Sequence, residues 1–577
     1  MIAVFFDPKL ERLGNEIRHT IDTVFQTLGL NFRYVNKATD FNERDILICY
    51  GLVEPLDHEI HEIAHNHVIY YIPCEPVLYL PSEIKNLEKM KRIMKLRQPV
   101  PVLSERPFDQ PFRISANPDY YYGVFNFDIF GNVFFHLTNA EESFPHGTDR
   151  YNRFTDASSP FVSSSAVPYV NELLWVIESF IEEGIAQQPC LIVKKEMWPG
   201  AEPLAAAISH NIDKLQKWTF SSFMQSMVDE ALFLVLLKWK RLYQNVSGKL
   251  RYMFTNYEPY WNFDILTEIE EKHELRTTYF FGTEHEVPED TDYNPDDDEL
   301  KEIAAEVLKT GNEISLLASY ASLKNDILPR QKAALQKAFE VKDIGVRQNH
   351  FRYDPKTTPQ YHDNLSVIYD SSRCYAERPG FRNGIAFPYK VYSGVVKQTY
   401  RYLELPLQFS DSLLHLSRYK IMSYQNAQNI IRSLIHSLRD CNGLLVFEFN
   451  ISNFAEIPYN KRLYMFAVDM LKQQPAYIDT LGGIAKWWKQ RQYVEITEHD
   501  DEIVLFFPEA VKKFSLRIEG FKNILSVEGA KHILRKNGLT LSDIELGSTV
   551  SIRLHSVLSE GLPEEKPESP VAEYPEE

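Results

Sequence analysis

Past Trp198-Pro199-Gly200, apolar strand-like runs alternate with helical segments for almost 300 residues, and this alternation leaves few folds open. The runs fall near Ala205 to Ile208, Thr278 to Phe281, Glu313 to Leu317, Tyr402 to Leu407 and Leu444 to Phe449. Strands separated by helices pair in parallel, so residues 198–492 are expected to form a β/α barrel or a doubly wound sheet. The first hundred residues show the same alternation on a smaller scale. Strands are expected at Ile2 to Phe6, Ile46 to Tyr50 and His67 to Ile72, with a helix from Leu10 to Leu28, which reads as a small α/β domain over residues 1–125. Helical patterns at Phe127 to Glu142 and Tyr169 to Glu183 flank a polar stretch, giving a helical connector over 126–197. Short alternating strands such as Glu502 to Phe507 mark a small β-rich region over 493–557.

The length, 577 residues, exceeds what one core serves and agrees with two to four domains of roughly 100 to 200 residues each. The last stretch, Ser559 to Glu577, holds seven Glu and four Pro against one Lys and is expected to be a disordered acidic tail over 558–577. Lys and Arg number 62 against 80 Asp and Glu, and the resulting charge of −18 repels phosphate backbones and anionic membranes, so nucleic acid is not an expected partner. Five scattered cysteines without a C-x-x-C pair fit a reducing, cytoplasmic setting. The start, Met1 to Lys9, lacks the basic and apolar regions of a signal peptide. The most lipid-like segment, Ala231 to Leu237, meets Lys238 after seven residues, whereas a spanning helix needs about 20, so no membrane insertion is expected.

Two motifs invite a metal. His61-Glu62-Ile63-Ala64-His65 matches H-E-x-x-H, which would make the protein a zinc metalloprotease with Glu62 as general base; the segment runs straight into the apolar strand at His67, without the long supporting helix and third ligand this chemistry needs. Glu284 to Glu302 carries ten carboxylates and one Lys, but not the Gly and terminal Glu spacing of an EF-hand, and is expected to be a solvated loop whose last acids favour a helix start at Asp298.

A series of ordered motifs carries more. Trp198-Pro199-Gly200, Ser209-His210-Asn211-Ile212-Asp213, Asn312 to Tyr320, Arg347 to Asp354, Tyr369 to Ser372, Glu377 to Gly384 with Phe387-Pro388, Phe449 to Phe454 and Trp487-Trp488 follow one another in register, and Phe127 to Phe130, Glu141-Glu142 and Asp149 to Phe154 precede them. In this order they resemble the polysaccharide deacetylases of carbohydrate esterase family four, in a bacterial branch with an extra N-terminal α/β domain, over roughly Phe127 to Trp488. The resemblance implies an α/β architecture in which a distorted (β/α) deacetylase-type barrel is preceded by a small α/β domain and followed by a small β-rich appendage.

It also implies a chemistry, in which a metal held by one Asp and His side chains polarises an N-acetyl carbonyl and its water while a second Asp takes the water proton. Here the base position is Asn211, the metal-ligand carboxylate is kept as Asp213, the metal-ligand histidine positions are Leu317 and Ala321, and the acid position near the leaving amine is Asn450. Arg352 stands where the family's arginine orients the base. Catalysis is therefore expected to be lost or impaired, with no cofactor, and the cleft is expected to bind a glycan, a sugar precursor or a carbohydrate-processing protein. Tyr320, Phe351, Tyr353 and Tyr375 are candidates to stack on sugar rings. The alternative is an active deacetylase with one divalent metal such as zinc at Asp213, helped by His210 or His350.

Overall fold

In the computed structural model, the described residues are 1–42, 45–54, 67–117, 120–187, 190–255, 257–324, 326–417, 420–520, 522–535 and 538–556. His61, Glu62, His65 and the acidic tail lie outside them. The protein is a mixed α/β structure whose large sheet curls into a half-barrel. From edge to edge the sheet runs Tyr389–Ser393, Gln398–Glu404, Tyr369–Asp370, Val346–Gln348, Glu313–Ala318, Thr278–Phe281, Ala205–Ile212, Leu444–Glu448 and Phe409–Ser410, with Tyr477–Ile478 beside the start of Ala205–Ile212. Every pairing is parallel except that of the first two strands. The strand expected near Tyr402 to Leu407 sits earlier, at Gln398–Glu404, and the strand expected at Ala205 to Ile208 continues through Ile212, because its polar end faces polar partners inside the sheet rather than solvent.

A second sheet forms from the N-terminal residues in the order Phe32–Tyr34, Ile2–Phe6, Ile46–Gly51, His67–Pro73, Tyr120–Phe125, Phe112–Asn117, parallel up to the last strand. Helix Gly14–Leu28 covers it beside helices Ile129–Leu137 and Tyr169–Gln187. The start of helix Ile129–Leu137 is held by Asp128, buried, whose carboxylate accepts from Gly131 N at 2.7 Å, Glu75 N at 2.8 Å and Tyr50 Oη at 2.9 Å.

The C-terminal residues build two four-stranded sheets, and one of them takes its edge strand from far upstream: Leu191–Lys195 pairs antiparallel with Val511–Gly520. Three regions meet at that strand through Arg491, on helix Leu481–Tyr493. Arg491 is buried and has no carboxylate partner among the described residues; it donates to Gln26 O (2.7 Å) and Thr27 O (3.0 Å), in the last turn of helix Gly14–Leu28, and to Lys195 O (2.9 Å) and Glu196 O (2.7 Å). A cation suits the negative end of a helix. Gly29, at φ 76°, lets the chain pass so closely that a Cβ there would lie 2.1 Å from Lys195 O and 2.4 Å from Arg491 Nη2. No helix among the described residues is long and apolar enough to cross a membrane. Replacing Arg491 with Met strands four carbonyls away from water and is expected to lower the unfolding free energy by about 3 kcal/mol, read from denaturant midpoints.

Candidate functional site

The site lies at the carboxyl ends of the parallel strands, where residues in register share a face. Asn211 stands opposite Phe280, which stands opposite Ser315; Ser209 stands opposite Glu448, and Leu317 opposite Arg347. Successive residues alternate, so Ser209, Asn211 and the start of the loop at Asp213 fall on one face and His210 on the other.

Arg347 organises the inner face. Fully buried, it donates from Nη1 to Ser209 Oγ (2.8 Å) and Asn211 Oδ1 (3.1 Å), from Nη2 to Ser371 Oγ (3.0 Å) and from Nε to Ser371 O (2.9 Å), with its guanidinium 4.2 Å from the Phe280 ring centroid. Burial lowers its pKa, an effect opposed most strongly by the charge of Glu448. Arg347, and not the Arg352 that the resemblance put in this role, is the arginine hydrogen-bonded to Asn211 here. The left-handed backbone at His350 and Phe351, φ 55° at each, ends the strand and carries Arg352 into the loop beyond, where it donates to Tyr151 O at 3.1 Å and to Tyr320 O and lies over the Tyr320 ring.

Around Asp213 the polar groups are closely engaged. Its Oδ1 accepts from Lys214 N at 2.7 Å and lies 3.5 Å from Ser452 Oγ, which also donates to Asn450 Oδ1 at 2.9 Å. Burial raises the Asp213 pKa, against the hydrogen bond from Asn450. Two acids that the motifs did not single out complete this corner. Asp411, wholly buried, accepts from Asn450 N (3.1 Å), Asn453 Nδ2 (2.6 Å) and Asn460 Nδ2 (2.6 Å); burial pushes its carboxyl up to about 7 against those hydrogen bonds. Glu448, equally buried, accepts from Ser410 Oγ, and burial with the nearby Asp411 charge raises its pKa well above the usual range. The one local signal was Glu448 itself, a lone acid ending the run Leu444-Leu445-Val446-Phe447.

The residues do not suit a resident metal. Leu317 and Ala321 offer no donor atom, and position 211 offers an amide. His210 points to the opposite face, with Nε2 3.0 Å from Glu270 Oε1 and Nδ1 3.0 Å from Phe449 O. His350 stacks on Tyr151 at 4.3 Å between centroids, and burial lowers its pKa to about 4. Neither joins Asp213, and among the described residues no group of three or more His, Cys, Asp or Glu is arranged to hold a metal ion. The acidic run from Glu284 differs from a solvated loop. Asp290 accepts from Tyr320 N at 2.7 Å, Asp292 accepts from Leu215 N at 2.8 Å and Gln216 N at 3.0 Å, and buried Tyr293 donates to Ile212 O at 2.6 Å, so the loop braces the strand ends. Its last acid before the helix, Asp297, caps Asp298–Lys309 as expected.

Of the four aromatic candidates, Phe351 and Tyr353 line a cleft with Glu142, Arg153, Arg373 and Arg382. Arg373 is 4.4 Å from the Tyr353 ring centroid, and its Nη1 has no hydrogen-bond partner among the described residues. Arg382, whose pKa burial lowers to about 9, bonds to Glu141 and to Glu142 at 2.8 Å. Tyr320 belongs to a separate group with Tyr151, His350 and Arg352, and Tyr375 is buried beside Arg382.

Residues 9–185 match a family described as being of unknown function, DUF7033. A comparison with curated proteins finds no match. Among solved structures, a Mycobacterium smegmatis protein assigned as a polysaccharide deacetylase is 16% identical, with a TM-score of 0.35 over 52% of this chain and 96% of its own. Puue allantoinase is 10% identical, with a TM-score of 0.35 over 51% of this chain and 93% of its own. A CE4 family pseudoenzyme from Bacillus anthracis, BA3943, is 8% identical, with a TM-score of 0.26 over 49% of this chain and 65% of its own.

A carboxyl with a higher pKa folded than unfolded keeps its proton longer in the folded state, so its contribution to stability is full at low pH and falls as pH rises to the folded value. For Asp411 this window runs from the ordinary 3.8 to about 7. The melting temperature is expected to fall over that window, and Asp411→Asn is expected to flatten the decline; equal slopes in thermal unfolding scans of the two proteins would remove Asp411 as its source.

Proposed function

We propose that this is a polysaccharide deacetylase-like protein of carbohydrate metabolism, with a deacetylase-type barrel between a small α/β domain and a β-rich region, that binds an N-acetylated glycan or sugar precursor without hydrolysing it. The contact from Arg347 to Asn211 carries the reading. The guanidinium reaches across the sheet to the position where the resemblance puts the catalytic base and meets an amide oxygen, which accepts a hydrogen bond but is too weak a base to take a proton from water. Leu317 and Ala321 remove metal ligands from the same motif set, and Asn450 removes the acid.

Binding asks for less than catalysis. Phe351 and Tyr353 offer apolar ring surface, and Arg153 and Arg373 offer donors for hydroxyl and acyl oxygens in the same cleft. A carbohydrate-processing protein is the other occupant this reading admits, and the cytoplasm is the compartment that the cysteine pattern favours. The competing readings are an active deacetylase with a rearranged site at Asp213 and a zinc protease through His61, Glu62 and His65.

Elemental analysis after loading with Zn²⁺ or Co²⁺ and desalting separates them. The wild type is expected to retain no stoichiometric metal and to release no acetate from N-acetylglucosamine oligomers, while binding those oligomers about tenfold more tightly than Phe351→Ala does in calorimetry. One equivalent of metal that disappears in Asp213→Ala would favour the active deacetylase. Metal that survives that substitution would turn attention to His61 and His65.

A further inference from the structure

Between the Ala205–Ile212 strand and the next helix of the half-barrel, the chain extends a hairpin of two helices, Phe220–Val235 and Trp239–Thr255. They pack on each other and have no comparable contact with another element among the described residues. The pair is held inside by Lys249, whose Nζ lies 2.8 Å from Glu230 Oε1 and 4.6 Å from the Phe223 ring centroid. Both ends are rooted at the candidate site. Lys217 N, before the first helix, donates to Glu258, after the second, at 2.7 Å, and Lys217 Nζ pairs with Glu456 at 2.6 Å. Tyr260 is near enough to Asp213 for that charge to act on it.

The outer surface of the hairpin exposes a run of large apolar side chains. Leu234, Val235, Leu236 and Leu237, at the tip, are exposed to 51%, 77%, 49% and 67%, followed by Trp239 at 58%, while Met253 and Phe254, at the far end of the second helix, reach 64% and 82%. Contiguous apolar surface of this kind marks a site of association. Four consecutive residues at a helix end project in different directions around the axis, so one partner helix or sheet lying on a single face could not cover them; a fluid apolar medium can.

The charges agree with that medium. Within 220–255 the sequence carries five Lys or Arg, at 238, 240, 241, 249 and 251, and two acids, Asp229 and Glu230, in a chain whose overall charge is −18. Basic residues and a tryptophan directly after an apolar tip form the order found at the boundary between acyl chains and anionic headgroups. The overall charge led to the expectation that anionic membranes repel this protein; the hairpin departs from that overall charge, with five basic residues against two acids on an element that also exposes apolar side chains.

We propose that the hairpin is a membrane-docking element that inserts its Leu234–Trp239 tip into the interfacial layer of an anionic bilayer and seats the strand-end cleft beside the headgroups. The helices are too short in apolar length to span, so the binding is peripheral and reversible. This inference does not depend on the glycan-binding proposal.

The test is cosedimentation of the full chain with sonicated vesicles of phosphatidylcholine alone and of phosphatidylcholine with one-third phosphatidylglycerol, beside light scattering of the free protein. Pelleting with the phosphatidylglycerol vesicles, reduced by added salt and weakened at least roughly tenfold in Val235→Glu/Leu237→Glu, is the expected result. Both side chains are exposed, so the variant should retain the wild-type circular dichroism and melting temperature, which are measured alongside. Absence of pelleting with either vesicle overturns the proposal, as does unchanged pelleting of a folded variant. A dimer in solution that the same substitutions dissociate, without vesicle binding, would assign the hairpin to a second copy of the chain instead.

Discussion

A guanidinium shut away from water is tolerated only when its nitrogens find partners, and each nitrogen of Arg347 has at least one, on Ser209, Asn211 or Ser371. Ser209 and Asn211 come from Ala205–Ile212, Ser371 follows Tyr369–Asp370, and the ring beneath it, Phe280, comes from Thr278–Phe281. A one-residue slip of Ala205–Ile212 would turn Ser209 and Asn211 to the other face and take both partners from Arg347 Nη1. The register of the half-barrel and the geometry of its strand ends are thus tied to one side chain.

That dependence also sets how charge is arranged around position 211. An aspartate at position 211 would balance the Arg347 charge directly; an asparagine there accepts the same hydrogen bond without the charge. The acids in this corner, Asp213, Asp411 and Glu448, are engaged by amides, hydroxyls and backbone N–H groups rather than aimed together at an open point. Such a network rigidifies the strand ends, and the cleft of Phe351, Tyr353 and Arg373 lies apart from it.

Much of the secondary structure was legible because it depends on local pattern. The strand at Thr278–Phe281 and the helix at Asp298–Lys309 have the bounds read from periodicity and the acidic helix start. Side-chain roles were legible only where alternation decides them, as for Asn211 and Asp213 on one face. Arg347 and Arg352 are five residues apart in one motif, and nothing local distinguishes them; the left-handed turn at His350 and Phe351 does. Asp411 escaped notice because its partners, Asn450, Asn453 and Asn460, are some 40 to 50 residues away. The acidic run at Glu284 read as solvated since its hydrogen-bond donors, at Leu215, Gln216 and Tyr320, belong to other segments.

By itself the sequence determined the alternation of strands and helices, the order of the motifs and the residue types at four positions, amides at 211 and 450 and aliphatic side chains at 317 and 321, because each of these is a property of residue type and spacing along one chain. Only the tertiary structure decided which arginine meets Asn211, that His210 turns away from Asp213, that Leu191–Lys195 completes a sheet with residues more than 300 positions later, and that the run Leu234 to Leu237 stays uncovered. Those outcomes rest on burial and on pairing between distant segments, and neither is encoded in any local stretch of residues.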